Sequence, residues 1–240
     1  MALDLYVGTL TRYYLGDWEN IGQQWAREHG MPYQVVRPGD EEQSSTDTVV
    51  NPVSLREAIY DWREVLTEGL GDQLEEPLEW NEALDTPYYT DRPHWDGYGA
   101  LVLLAALEEN AHHSPPDIID EQWTEHPAYL ESKADNFENT EYLQILMPEL
   151  WLPADFPFTF RFMDLTGHTL AIGSATRLLE QLRLLNDRTF KGDEQERELW
   201  CLEAPKSGGS FQHAARFGLG MFLELAEKAV ENRLPLKLDY

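Results

Sequence analysis

The chain holds a single cysteine, Cys201, among 240 residues, so it can form neither an internal disulfide nor a cysteine-based zinc cluster. Basic residues are scarce as well: 18 Lys and Arg stand against 44 Asp and Glu, a formal net charge of −26. Nucleic acid must have its phosphates neutralised by Lys and Arg, so it is excluded as an expected partner. An anionic membrane surface is disfavoured on the same ground. Long apolar runs are missing too. The longest nearly unbroken one, Tyr98 to Leu107, is far shorter than the roughly 18 to 20 residues of a membrane span. No Gly-x-Ser-x-Gly elbow, dinucleotide fingerprint, Walker loop, kinase signature, His-Glu-x-x-His pair or EF-hand loop occurs. No reaction is therefore named by motif, and no cofactor or metal is expected.

What is present is enough for a core: 42% of the residues are hydrophobic and 12% aromatic, which excludes wholesale disorder. The start, Met1 to Val7, has no basic region ahead of an apolar stretch, and a cytoplasmic location is expected. The negative charge is unevenly spread. Residues 1 to 120 carry a net −18 and residues 121 to 240 a net −8, while Pro38 to Asp96 holds 16 acidic against 3 basic side chains, a net −13. The last 35 residues, from Lys206, are slightly basic. The charge thus reads as a candidate surface more than as a property of the whole chain.

Periodicity predicts alternating strands and helices. Leu3, Leu5 and Val7 alternate as a first strand, edge or half-buried, and a helix capped by Asp17 carries Trp18, Ile21 and Trp25. A second strand is expected at 33–37 and an exposed loop at 37–52. The Ser54 and Glu57 pair reads as a capping box for a helix bearing Leu55, Ile59, Trp62 and Leu66. Residues 69–97 read as a long loop, and Asp96 as the cap of an apolar helix to Glu109. Further on, residues 142–150 read as helix. Phe156 to Phe162 and Thr169 to Gly173 read as a β-hairpin, and Ser174 as the cap of a leucine-rich helix. Leu199 to Glu203 suggests a strand, 212–232 a long helix and Leu234 to Leu238 a last strand. The fold class expected is α/β (mixed α+β): one mixed sheet with a hairpin near 156–173, packed with amphipathic helices. A single domain over 1–240 is expected, with an acidic, loop-rich insertion at about 38–96.

Two functional expectations follow. The first is an acidic cytosolic binding protein of inhibitor or immunity type, engaging a basic protein through Glu75, Glu76, Glu79, Trp80, Glu82, Tyr88, Tyr89, Asp91 and Trp95. Aromatics anchor interfaces, and surrounding charge steers encounter. The second is a small-molecule enzyme for an anionic substrate, with Arg12, His213 and Arg216 holding charge and Tyr13 or His94 assisting proton transfer. His213 and Arg216 follow the Lys206 to Ser210 loop, where glycines and a helix N-terminus can cradle an anion. For the enzyme reading, Arg12 and the Gly208-Gly209 loop must open into one pocket. His94 and Asp96 could share a metal, or His94 could be a general base oriented by Asp91, with His112, His113 and His126 able to join only through folding; a structural or contact loop is the favoured reading.

Overall fold

The computed structural model describes residues 3–32, 51–134, 136–137, 139–206 and 208–240. The strand expected at 33–37, and the loop expected from 37 as far as residue 50, lie outside the described residues. One mixed sheet runs through the molecule in the order β2-β1-β6-β3-β5-β4. Its strands are β1 (Asp4–Val7), β2 (Tyr89–Asp91), β3 (Leu150–Leu152), β4 (Phe160–Met163), β5 (Thr169–Ser174) and β6 (Leu236–Asp239). Among the described residues only β3 and β5 pair in parallel; the other neighbours are antiparallel. The expected hairpin is present as β4 and β5, although its first strand starts at Phe160 and not at Phe156; it is closed by Asp164, whose carboxylate accepts the Thr166 and His168 N–H groups. β1 is an interior strand rather than an edge, since β2, hidden in the stretch that reads as loop, pairs outside it.

The two faces of the sheet differ. On one, Leu3, Leu5, Val7, Trp151, Leu236 and Leu238 are buried against α4 (His94–Glu109), α7 (Ala175–Arg188) and α9 (Phe211–Asn232). α4 is apolar on nearly every side and is wrapped by other elements. It meets α9 at two glycines: a Cβ on Gly218 would stand 2.1 Å from the Gly97 carbonyl oxygen, so the backbones touch where no side chain fits. On the other face, Leu150, Leu152 and Ile172 pack under Ile59, Trp62 and Leu66 of α3 (Pro52–Leu70), with Leu78, Trp80 and Phe156. The Trp62 indole donates to the Met163 carbonyl at 2.7 Å, fixing α3 over β4. Toward β1 and β6 the same face turns polar, with Asp4, Tyr6, Lys237 and Asp239 in register. The short helices α1 (Leu10–Leu15) and α2 (Ile21–Glu28) follow β1.

Several helix starts differ from expectation for local reasons. α3 begins at Asn51, whose side chain caps Val53 N–H, with Pro52 in the first position, so Ser54 is already inside the helix. α2 is capped by Asn20 in a reciprocal capping box with Gln23, not by Asp17. Pro93 precedes α4, leaving Asp96 in the first turn, where its charge complements the helix dipole. Ser174 caps α7 as expected, accepting the Arg177 N–H at 3.2 Å. Residues 142–150 yield only the short α6 (Leu143–Leu146) before β3.

Glu82 is fully buried and closes the second face. Its two oxygens accept the Leu10 N–H at 3.1 Å and the Thr11 N–H at 2.7 Å, while Thr9 takes the Arg12 N–H. The first three unpaired donors of α1 are thereby satisfied. The Trp80 indole N–H donates to the same carboxylate. Replacing Glu82 by Ala leaves three buried donors without an acceptor, an expected loss of about 3 kcal/mol. Thermal denaturation should show a fall of roughly 6 to 12 °C for a chain of this size. Glu82→Gln, which keeps one acceptor oxygen, should lose about half as much; an unchanged melting temperature in Glu82→Ala would contradict this role.

Candidate functional site

Of the nine residues expected at a protein interface, Glu75, Glu76, Glu79 and Trp95 are exposed. Trp80 and Glu82 are buried and serve the core, a correction to their expected contact role. Tyr88 and Tyr89 are half-buried: Tyr88 stacks on Tyr6, and Tyr89 packs against the helical core. Asp91 sits partly buried on the helical face opposite Leu5; burial first, then Glu224 and Asp4, raise its pKa to about 6.

The acidic surface is instead built by the outer side of α3 and the strap that follows it. Glu57, Asp61, Glu64, Glu68, Asp72, Glu75, Glu76 and Glu79 are all exposed. The helical members lie on one stripe, opposite the buried Ile59, Trp62 and Leu66. Among the described residues, none of the eight has a cation within ion-pair distance. Nearby Arg63 is committed elsewhere, lying 4.9 Å from the Tyr60 ring centre and donating to the Trp80 carbonyl. Tyr60, 38% exposed, and Val65, 53% exposed, stand on the same outer side. Beyond the strap, Glu75, Glu76 and Glu79 line a groove of about 430 Å³ with Asp155 and Arg233, next to the carboxyl end of β3.

The residues expected to hold an anionic substrate are spread over different parts of the molecule. The Arg12 guanidinium donates to the Leu84 carbonyl and lies 4.8 Å from the Tyr88 ring centre, and it makes no ion pair with Asp17. His213 contacts the Glu203 carbonyl at 3.1 Å, and Arg216 lies over the Phe190 ring; both line a shallow cleft beside Trp200. His94 opens α4, its pKa lowered by burial and then by Arg92. Arg12 and the residues after the Gly208-Gly209 loop therefore do not share a pocket. Cys201 lies on α8 (Glu194–Cys201), where a strand was expected; burial, then Glu224 and Asp91, push its thiol up to about 12, far from a nucleophilic state.

A cleft of about 590 Å³ gathers groups that the sequence did not connect. Tyr13, Tyr14 and Trp18 reach it from α1 and the turn after it, Asp164 and His168 from the β4–β5 turn, and Lys237, Asp239 and Tyr240 from the end of the chain. Lys237 is 7% exposed, has no carboxylate within ion-pair distance among the described residues, and reaches only the Leu238 carbonyl at 3.4 Å. Its ammonium lies 5.1 Å from the Tyr13 ring centre. The surrounding carboxylates are occupied by phenols: Tyr13 donates to Asp239 at 2.5 Å, Tyr14 to Asp164 at 3.2 Å, and Tyr240 to Glu149. Burial lowers the lysine pKa, opposed by Asp239, Asp164 and Glu149.

A lysine whose pKa is lowered by burial binds protons less readily in the folded chain than in the unfolded one. Stability therefore rises with pH across the interval between its folded and unfolded pKa values. Lys237→Met should remove that slope and raise stability at neutral pH by about 0.5 to 2 kcal/mol. Melting curves at several pH values test this; destabilisation by Lys237→Met would make the amine a structural group. No family model matches the chain, and neither a curated protein nor a solved structure is significantly similar to it, so its function must be argued from its own residues.

Proposed function

We propose that the protein is an acidic protein-binding protein, of the inhibitor or immunity kind, that docks a basic protein partner on the outer side of α3 and the strap at 71–79. The observation that carries this reading is the run of eight exposed carboxylates that, among the described residues, have no cation within ion-pair distance, interrupted by exposed Tyr60 and Val65. Like charges packed this closely repel one another, and a cationic surface relieves that repulsion. Rim charge of this type mainly accelerates encounter and rejects wrong partners, while an aromatic among the charges supplies the anchor. The groove at Glu75, Glu76 and Glu79 extends the same field toward the sheet. Trp95 is exposed outside this run, beside Tyr240.

The test begins with partners retained at low salt and released at high salt. The purified partner is then titrated against a variant with Glu64, Glu68, Glu75 and Glu79 all replaced by Lys, and against Tyr60→Ala. The fourfold variant is expected to weaken binding by about a hundredfold or more, chiefly through the association rate, and to flatten the salt dependence. Tyr60→Ala is expected to act mainly on dissociation. Unchanged affinity and salt dependence in the fourfold variant would overturn the reading. A small-molecule enzyme is a second reading with one supporting observation, the nearly buried Lys237 amine in its cleft. The three carboxylates around that amine favour a neutral or cationic ligand over an anionic one.

A further inference from the structure

His112 and His113 are neighbours in sequence, and Glu131 lies far along the chain, so no spacing rule connects them. The fold does. The turn after α4 carries both imidazoles toward α5 (Pro127–Ala134), and both Nε2 atoms approach one carboxylate oxygen of Glu131, at 3.1 Å from His112 and 2.9 Å from His113. One ligating atom from each residue lies within 4.8 Å of the others. We propose that His112, His113 and Glu131 form a binding site for a divalent transition-metal ion of the zinc class, with solvent completing the coordination.

The spacing suits the ion. Bonds of about 2.0 to 2.1 Å at tetrahedral angles place neighbouring donor atoms about 3.3 Å apart, close to both nitrogen–oxygen separations seen here. The two imidazole nitrogens lie within 4.8 Å of each other, so an ion enters by drawing the three donor atoms together through side-chain rotation. The donor set is also selective, because two imidazoles with one carboxylate suit zinc, copper or nickel, whereas magnesium and calcium take oxygen ligands. The negative field of the chain adds attraction for any cation.

The scaffold is held in place before an ion arrives. The Asn110 side-chain amide donates to the Ala106 carbonyl at 3.0 Å, the Ala128 carbonyl at 3.1 Å and the Ser132 hydroxyl at 2.8 Å. The last two are on α5, three residues before and one after Glu131, so the turn bearing the histidines is fastened to the helix bearing the carboxylate. His126 stands next to the site, its ring centre 6.3 Å from that of His113, with Nδ1 accepting the Ala128 N–H at 3.2 Å. As bare ion pairs these exposed contacts are worth little. Their convergence on one oxygen is better explained by a shared ligand.

The test is calorimetric titration of the untagged full chain with zinc chloride at neutral pH, in the presence and absence of excess magnesium. One site of micromolar affinity, unaffected by magnesium, is expected. His112→Ala, His113→Ala and Glu131→Gln should each weaken it by at least about tenfold, while His168→Ala and His213→Ala leave it unchanged. In a parallel measurement on the wild-type chain, cobalt(II) should broaden the imidazole proton signals of His112 and His113 before those of the other histidines. Three results would overturn the proposal: no zinc binding, binding of equal strength in His113→Ala, or displacement of zinc by magnesium. So would cobalt broadening that spares these two rings.

Discussion

Glu82 ties the most acidic stretch of the chain to the fold. One buried carboxylate closes the N-terminus of α1 and receives the Trp80 indole, so the strap after α3 is anchored at its far end on α1. Two surfaces depend on that anchor. The strap carries the exposed Glu75, Glu76 and Glu79, and α1 carries Tyr13 and Tyr14 toward Lys237. A buried carboxylate is costly unless its lone pairs are met, and here three N–H donors meet them. The first strand is held from its polar side as well, where Arg92 pairs with Asp4 at 2.7 Å and Asn20 donates to the same carboxylate.

The net −26 thus divides into groups with different work. Asp4 and Glu82 are buried and structural, and Asp91 is partly buried on the helical face. Others neutralise surface arginines, as Asp155 and Glu180 do for Arg177, Glu141 for Arg188 and Glu227 for Arg183. Among the described residues, the stripe from Glu57 to Glu79 does neither. A surface charged without compensation costs folding free energy through self-repulsion. Its concentration on one helix and one strap is what a docking surface requires, and general solubility would be served equally well by a scattered distribution.

The mixed sheet, the β4–β5 hairpin, the long C-terminal helix and the Ser174 cap were legible because each depends on local periodicity or a local hydrogen bond. β2 was not, since three polar or aromatic residues, Tyr89 to Asp91, acquire strand character only by pairing with β1. The apolar run Leu199 to Leu202 suggested a strand, yet a capping box from Asp193 to Glu196 starts a helix just before it; that signal was available in the sequence. At the acidic surface, the charge was legible and the exposed aromatic and apolar side chains were not. Trp80 is drawn inward by Glu82 and Arg63, whereas Tyr60 and Val65 are exposed by the phase of α3. Lys237 looks in sequence like an outward residue of a half-buried strand; only the aromatic cover from α1 reveals that its side is also enclosed. The His112, His113 and Glu131 cluster is a product of tertiary packing alone.

Amide hydrogen exchange on the complex with the salt-sensitive partner tests the central claim most directly, since it compares the acidic face and the lysine cleft in one experiment. Slowed exchange confined to α3 and residues 71–79, with residues 13–18, 164–170 and 237–240 unaffected, is the result expected of an acidic docking surface. Protection concentrated around Lys237, with α3 exchanging as in the free protein, would contradict it.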